Sequence, residues 1–248
     1  MKKDVRWKKF WDNRKSKLAS DYSNIHDIYI QKRGEMLSMF FEYSMFPANT
    51  PKKFLDLGAG TGAAGFAVLS RFPDAKALFV DGSEVMLAEA VKTADKNKLK
   101  ISCLLRDFSS KDWLKGGGIK PGYPLIISNL MIHHLTDRRK AVFFREIRNL
   151  LAPGGLFIYG DYLRMADNKT EDYQCELRAL DILKLKKEHG WKVPSLKDEI
   201  KSIKNTEIKS GDMAPTPGFV LASLRKAGFK KTAMLWFYLK FGVFIAVK

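Results

Sequence analysis

Long apolar runs are missing from this 248-residue chain. None approaches the roughly twenty residues that span a bilayer, and Met1-Lys2-Lys3-Asp4 lacks the apolar core of a secretory leader. No membrane partner is expected, and the expected compartment is the cytosol (cytoplasmic). Cysteine is scarce. Cys103 and Cys175 fall in a predicted strand and a predicted helix, form no spaced metal set, and read as free thiols rather than a disulfide. No set of histidines and carboxylates stands at metal-ligand spacing, so no metal is predicted. Acids are few, with 27 Asp and Glu against 44 Lys and Arg, for a formal net charge of +17. Such a field draws nucleic acid or anionic substrates. Most of the excess is Lys scattered through the chain, however, with little Arg clustering and no aromatic interleaving, and a solvated lysine surface is the preferred account. The one dense basic stretch holds Lys2, Lys3, Arg6, Lys8, Lys9, Arg14, Lys15 and Lys17, and any RNA contact would start there.

What the chain does have is a hydrophobic content of 46% and room for one α/β domain with an added cap, but not for two full domains with separate cores. Its organising stretch is Phe54-Leu55-Asp56-Leu57-Gly58-Ala59-Gly60-Thr61-Gly62, followed by an apolar run and then Phe79-Val80-Asp81-Gly82-Ser83. The order reads strand, glycine loop, helix, second strand ending in an acid. Glycines at 58, 60 and 62 let a ligand lie against bare backbone at a helix N-terminus. The carboxylate of Asp81, about twenty residues on, would reach a ribose diol. Two cofactors compete for this loop. Gly58-x-Gly60-x-x-Ala63 satisfies the loose dinucleotide fingerprint. S-adenosylmethionine is favoured by Asp56, two residues before the first glycine, because an acid there suits an ammonium and would repel a pyrophosphate.

Apolar spacing predicts a basic amphipathic helix from Val5 to about Leu18 and a second, longer one after Ser23 or Asn24, carrying Ile25, Ile28, Met36, Leu37, Phe40 and Phe41. Residues 1–50 thus form N-terminal lid helices. Strands are predicted at Lys53–Leu57, Ala75–Val80, Ile101–Leu105, Pro124–Ser128 and Leu156–Gly160, with helices between them. The third helix is expected to turn Val85, Met86, Ala90 and Val91 inward, and Pro153-Gly154-Gly155 to end the helix that Thr136-Asp137 opens. This alternation demands a parallel sheet with ligands outside the carboxyl ends of the strands, where Asp56, Asp81, Asp107, Asn129 and Asp161 all fall. Residues 162–215 break the alternation, with helices expected at Glu176–Glu188 and Pro194–Ile208, and read as a helical cap insert. A helix at Pro217–Lys226 follows. The runs Ala233–Leu239 and Gly242–Val247 are so close that they pair as an antiparallel hairpin. Residues 51–161 and 216–248 then make the ligand-binding domain. A nucleotide-dehydrogenase half-sheet does not end in such a hairpin.

With these features together, residues 54–248 resemble the class I S-adenosylmethionine-dependent methyltransferases. The resemblance implies an α/β, Rossmann-like seven-stranded sheet, mostly parallel with an antiparallel C-terminal hairpin, helices on both faces and a helical cap. It also implies S-adenosyl-L-methionine as cofactor. Gly58, Ala59 and Gly60 would face its methionine part, Asp81 with the adjoining Gly82 its ribose, and Asp107 its adenine amino group. Phe108 would pack on or bond the ring, and Asn129 would lie beside the sulfonium. A narrower likeness is to the carboxy-S-adenosylmethionine synthase group. Tyr22-Ser23-Asn24-Ile25 resembles a stretch where that family's tyrosine touches the cofactor, and Ala227-Gly228-Phe229 with the aromatic hairpin is similar as well. That family holds the extra carboxylate with an arginine in the insert, whereas Lys197 to Lys209 here contains lysines and no arginine. Ordinary methyl transfer is therefore expected.

Methyl transfer is an in-line displacement at a sulfonium carbon, so the protein chiefly aligns nucleophile and methyl. A base helps where the nucleophile bears a proton. His133 and His134, just after the fourth strand, are candidates for that role, as are Asp161 and Tyr162 at the end of the fifth. The bland account is that the histidines open a helix and bond to backbone. Asn129-Leu130-Met131 is not the Asn-Pro-Pro-Tyr type of motif that holds an exocyclic or glutamine amine. Neither cysteine has the Pro-Cys context of a base-methylating nucleophile. The expected acceptor is a small molecule; RNA (tRNA) and carboxy-cofactor chemistry are the alternatives.

Overall fold

In this computed structural model, residues 27–44 and 50–248 are described. Tyr22 and the basic helix expected near residues 5–18 lie outside them. The described elements run α1 (Arg33–Tyr43), β1 (Lys53–Leu57), α2 (Ala63–Arg71), β2 (Lys76–Asp81), α3 (Glu84–Lys96), β3 (Ile101–Leu105) and β4 (Tyr123–Asn129). After these come α4 (Asp137–Leu150), β5 (Leu151–Tyr162), α5 (Asn168–Glu188), α6 (Leu196–Ser210), α7 (Pro217–Lys226), β6 (Lys231–Tyr238) and β7 (Phe241–Val247).

Side chains alternate along each central strand between two cores. Leu55, Leu57, Ile126, Phe157 and Tyr159 join Phe143, Ile147, Val220 and Leu224 of α4 and α7 on one face. Phe54, Leu125, Ile127, Leu156 and Ile158 join Met36, Phe40, Val68 and Ala90 of α1, α2 and α3 on the other. Burial of both faces is what a parallel sheet under crossover helices requires. The strand order is β3-β2-β1-β4-β5-β7-β6. The first five strands pair in parallel, and β7 runs antiparallel between β5 and β6. The mostly parallel seven-stranded sheet with its antiparallel C-terminal hairpin is therefore present. Helices α5 and α6 pack around a third, smaller cluster of Cys175, Ala179, Ile182 and Ile203 that also takes in Ile28.

Several local expectations are corrected. The long helix after Asn24 is interrupted: residues 27–29 are helical, the chain turns at 30–32, and α1 begins only after Lys32, whose φ of 54° is left-handed. In α3 the buried residues are Leu87, Ala90 and Ala94, while Val85 and Val91 are exposed, because the Ser83 cap sets the helix phase. The helix opened by Thr136-Asp137 already stops at Leu150, β5 starts at Leu151, opposite Tyr123, and Pro153-Gly154-Gly155 lies within a register shift of the strand instead of ending the helix. α5 begins eight residues before the expected Glu176, at Asn168, because Asp167 caps the Thr170 N–H at 2.9 Å.

Gly65 in α2 packs directly beneath β1. A Cβ there would intrude on the Phe79 ring and stand 2.7 Å from Asp56 Oδ2. Helix propensity alone would make Gly65→Ala stabilising by about 1 kcal/mol, but the clash is with a buried ring and a buried carboxylate, and overpacking of this kind costs about 1–3 kcal/mol. The expected outcome is a net loss of stability, read as a lower urea midpoint at unchanged slope; a rise in the midpoint would refute it.

Candidate active site

The loop after β1 is tied to the end of β2. Gly58 N and Ala59 N both donate to Val80 O, at 2.7 and 3.1 Å, and the Asp81 carboxylate accepts from Gly60 N and Ser83 N, both at 2.8 Å. Gly58 has φ +74°, and a Cβ there would meet Met131. Only glycine meets both demands. The result is a cavity bordered by Asp56, Gly58, Ala59, Gly60, Asp81, Asn129, Met131 and His134, together with Arg33 of α1. Leu130, also at its edge, holds φ 54°, a strained value for a leucine, stabilised by its N–H bond to Gly160 O at 2.8 Å.

Asp56 is 1% exposed. Neither of its oxygens has a hydrogen-bond partner of normal geometry among the described residues. Burial, and then the charge of Asp81, push its carboxyl up to about 8 against the pull of the Gly65 N–H. A buried carboxylate at a cavity wall beside an anion is a site that lacks a cation. The ammonium of S-adenosylmethionine fits it, and a pyrophosphate does not.

The other expected residues divide. Asn129 borders the cavity, and its Oδ1 is buried without a hydrogen bond among the described residues. Gly82 is buried behind Asp81 and is not part of the lining. Asp107 accepts from Ser109 N and Oγ, at 2.9 and 2.7 Å, and lies outside the cavity lining. The Phe108 ring is 2% exposed and packs edge-on against Trp113 and Phe143, with centroids 5.2 and 5.4 Å away. It faces the core and not the cavity.

Of the four residues expected to handle a proton, His134 alone is in the lining. A 3-10 turn, Ile132–His134, brings the His133 and His134 rings to 4.0 Å between centroids. Asp161, fully buried, holds His133 from behind: one oxygen meets His133 Nδ1, the other accepts from His133 N at 2.9 Å and from the Tyr159 hydroxyl at 2.5 Å. Burial lowers the affinity of His133 for a proton, but the Asp161 charge and hydrogen bond outweigh it and leave the pKa raised. His134 is lowered, by burial and then by the charge of His133. The Tyr162 hydroxyl meets Glu207 and accepts from Arg178 at 2.9 Å, and burial raises it well above the usual phenol range. It is committed to the α5 and α6 helices.

Two residues were missed in the sequence. Arg33 carried no motif and reaches the cavity only because the turn at 30–32 redirects α1. Asp212 lies 79 residues beyond His133 in the chain, yet its Oδ1 is 3.1 Å from His134 Nδ1 and 3.6 Å from His133 Nε2.

Residues 54–155 match the family model described as a methyltransferase domain. The chain is 26% identical to a carboxy-S-adenosyl-L-methionine synthase of Campylobacter hominis over 79% of its own length and 77% of the relative's. It is 26% identical to a ribosomal RNA large subunit methyltransferase G of Pseudoalteromonas translucida over 64% of its length and 40% of the relative's. With a trans-aconitate 2-methyltransferase of Methylobacterium radiotolerans the identity is 28%, over 54% and 45%. The chain thus spans less than half of two of these three relatives. Among solved structures, a putative O-methyltransferase from Nostoc punctiforme superposes with a TM-score of 0.63 at 19% identity, covering 93% of this chain and 59% of that one. An O-methyltransferase family protein from Burkholderia thailandensis gives 0.67 at 15%, over 98% and 63%. The fold is the Rossmann-like methyltransferase sheet. The matched segment is a methyltransferase domain, and these similarities together support a class I S-adenosylmethionine-dependent methyltransferase with S-adenosylmethionine as methyl donor.

The raised carboxyl of Asp56 has a consequence for stability. Between its ordinary 3.8 and about 8, the folded state holds a proton that the unfolded state has lost. Its contribution is fully present below the lower value and disappears as pH rises through the upper one. Ligand-free protein should therefore lose unfolding free energy between about pH 5 and 8, and Asp56→Asn should flatten most of that slope in urea titrations. An unchanged slope in the variant would contradict the assignment.

Proposed function

We propose that the chain transfers the methyl group of S-adenosylmethionine to a small-molecule acceptor with an oxygen, nitrogen or carbon nucleophile, by in-line displacement at the sulfonium carbon. The observation that carries this reading is the enclosure of the cavity's His134 end: that ring is 9% exposed and is faced by Asp212, from the segment after α6. An interior wall of this kind suits an acceptor that is swallowed whole.

On this reading Gly58, Ala59 and Gly60 present bare backbone to the donor's methionine part. Asp56 meets its ammonium, Arg33 its carboxylate and Asp81 its ribose hydroxyls, with Gly82 keeping Asp81 close to the loop. Asp107 takes the adenine amino group. Phe108, its ring occupied in the core, acts there through its backbone N–H. Asn129 stands beside the sulfonium, and Tyr22 closes over the donor. His134 is the group that meets the acceptor, while His133, Asp161 and Tyr162 position it. Residues 1–50 serve as a lid, 162–215 as a cap, and 51–161 with 216–248 as the donor-binding domain.

An RNA acceptor is the second reading, favoured by the net charge of +17 and by the similarity to a ribosomal RNA methyltransferase. Affinity for RNA would fall steeply with salt, in proportion to the phosphates neutralised. A carboxy-S-adenosylmethionine-type reaction would instead use the extra carboxylate as part of the donor.

The test begins with the thermal midpoint in the presence of S-adenosylhomocysteine, S-adenosylmethionine, NAD and NADP in turn. Ligand at a hundred times its dissociation constant adds about 2.7 kcal/mol, and only the adenosyl sulfur compounds should produce a shift. Asp81→Ala should abolish that shift. His134→Ala should keep it and lose methyl transfer in a screen of small acceptors by at least about 100-fold, the scale of a positioned proton-handling group. Transfer only to RNA, with a steep salt dependence, would overturn the small-molecule reading.

A further inference from the structure

We propose that His133, His134 and Asp212 form a binding site for a divalent transition-metal ion at the edge of the cavity, which His134 also lines. The ligand atoms are His133 Nε2, His134 Nδ1 and Asp212 Oδ1, and no two of them lie more than 4.8 Å apart. The two measured nitrogen-to-oxygen separations, 3.1 and 3.6 Å, bracket the spacing of about 3.3 Å that tetrahedral ligands take around an ion bound at about 2.0–2.1 Å. Asp212 Oδ1 is buried, and no hydrogen bond of normal geometry reaches it among the described residues.

The surroundings are those of a ligand set. Consecutive residues on a strand point to opposite faces, but the 3-10 turn after the strained Leu130 turns both imidazoles the same way. Asp161 occupies His133 Nδ1, which places the ring proton there and leaves the Nε2 lone pair facing Asp212. A carboxylate behind a histidine is the usual device for orienting a metal ligand. Asp212 is delivered by a clamp on its neighbour: Met213 N donates to His133 O at 2.7 Å, and the buried Lys140 Nζ donates to Met213 O.

Two nitrogens and one carboxylate select a borderline ion, zinc being the first choice, over magnesium or calcium, which take all-oxygen shells. Three protein ligands leave a coordination position open, as in catalytic sites. For the acceptor's position this inference rests on the small-molecule reading above; the binding of the ion does not. An acceptor hydroxyl bound at the open position would lose its proton to water more readily. Its oxygen would then form the new bond to carbon while the sulfur–carbon bond breaks and its electron pair returns to sulfur.

The experiment uses the full, untagged chain freed of metal by chelator and then titrated with Co²⁺ and Zn²⁺. Expected are visible d–d absorbance saturating at a single equivalent of Co²⁺, displacement of that absorbance by Zn²⁺, and a higher thermal midpoint with Zn²⁺ but not with Mg²⁺. Asp212→Asn and His134→Ala should lose the Co²⁺ bands while keeping the thermal shift with S-adenosylhomocysteine, which also shows that they fold. Asp161→Asn should weaken Zn²⁺ binding by roughly 10- to 100-fold. Absence of both the bands and the Zn²⁺ shift in the wild type, or bands that survive in Asp212→Asn and His134→Ala, would overturn the proposal. Loss of the S-adenosylhomocysteine shift in the wild type would instead overturn the donor reading and leave the metal site standing.

Discussion

The constraint on which the site depends is the tie between the glycine loop and the end of β2. Two backbone N–H groups of the loop converge on one carbonyl, Val80 O, and a third is held by the Asp81 carboxylate. A loop so held cannot carry side chains on its inner surface, because Met131 already fills the space in front of Gly58. The backbone is thereby exposed to the cavity as a polar floor. The same bonds fix where β1 stops and α2 starts, and so place Asp56 and Gly65 face to face. Parallel pairing of β1 with both β2 and β4 carries this geometry to Asn129, at the next strand end.

Charge then gives the cavity a direction. Asp56 and Asp81 both border the cavity, and burial first, then the charge of Asp81, makes Asp56 harder to ionise in the ligand-free protein. Without a ligand the pair is relieved by a proton held on Asp56; a bound cation would let both carboxyls ionise. Arg33, also in the lining, is paired with Asp27 at 3.0 Å and carries the opposite sign. Lining charges of both signs are what a zwitterionic ligand would find complementary. A dinucleotide, with two phosphates at the loop, brings no cation to Asp56 and Asp81 and would oppose their ionisation.

How much of this was legible in the sequence follows from the distance over which each feature is specified. The glycine loop, Asp81 and the hairpin rest on local backbone rules, and the sheet follows from period-2 burial with crossover helices. Their positions were readable to within a few residues. The phase of α3 was not, because Ser83 and packing under the sheet choose which apolar residues turn inward, and Val85 and Val91 lost that competition. The start of α5 hinged on one cap, Asp167, in a stretch without apolar periodicity. Phe108 occupied the right position in the chain, but a ring beside Trp113 and Phe143 gains more from burial than from a ligand edge. Arg33 was hidden because the break before α1 depends on a left-handed lysine, which no residue pattern announces.

Asp212 shows the limit most plainly. It follows a Gly211 that ends α6 with φ 72°, so a turn there could be read locally, but its destination could not. That destination is set by the α5 and α6 pair, which is anchored to the sheet through polar contacts: Lys240 with Glu171 and Glu207, the Tyr238 hydroxyl with Asp181 at 2.6 Å, and Tyr162 with Arg178. Within the pair, Lys186 meets the fully buried Glu199 at 2.5 Å. Polar anchors of this type fix orientation more than they add stability, because desolvation offsets much of their attraction. The donor end of the cavity is thus written in short-range backbone rules, as a shared donor would demand. The surroundings of His134 are written in long-range contacts of the α5 and α6 pair, where exchange of a few charged partners can move Asp212 and reshape the space beside His134 without disturbing the glycine loop.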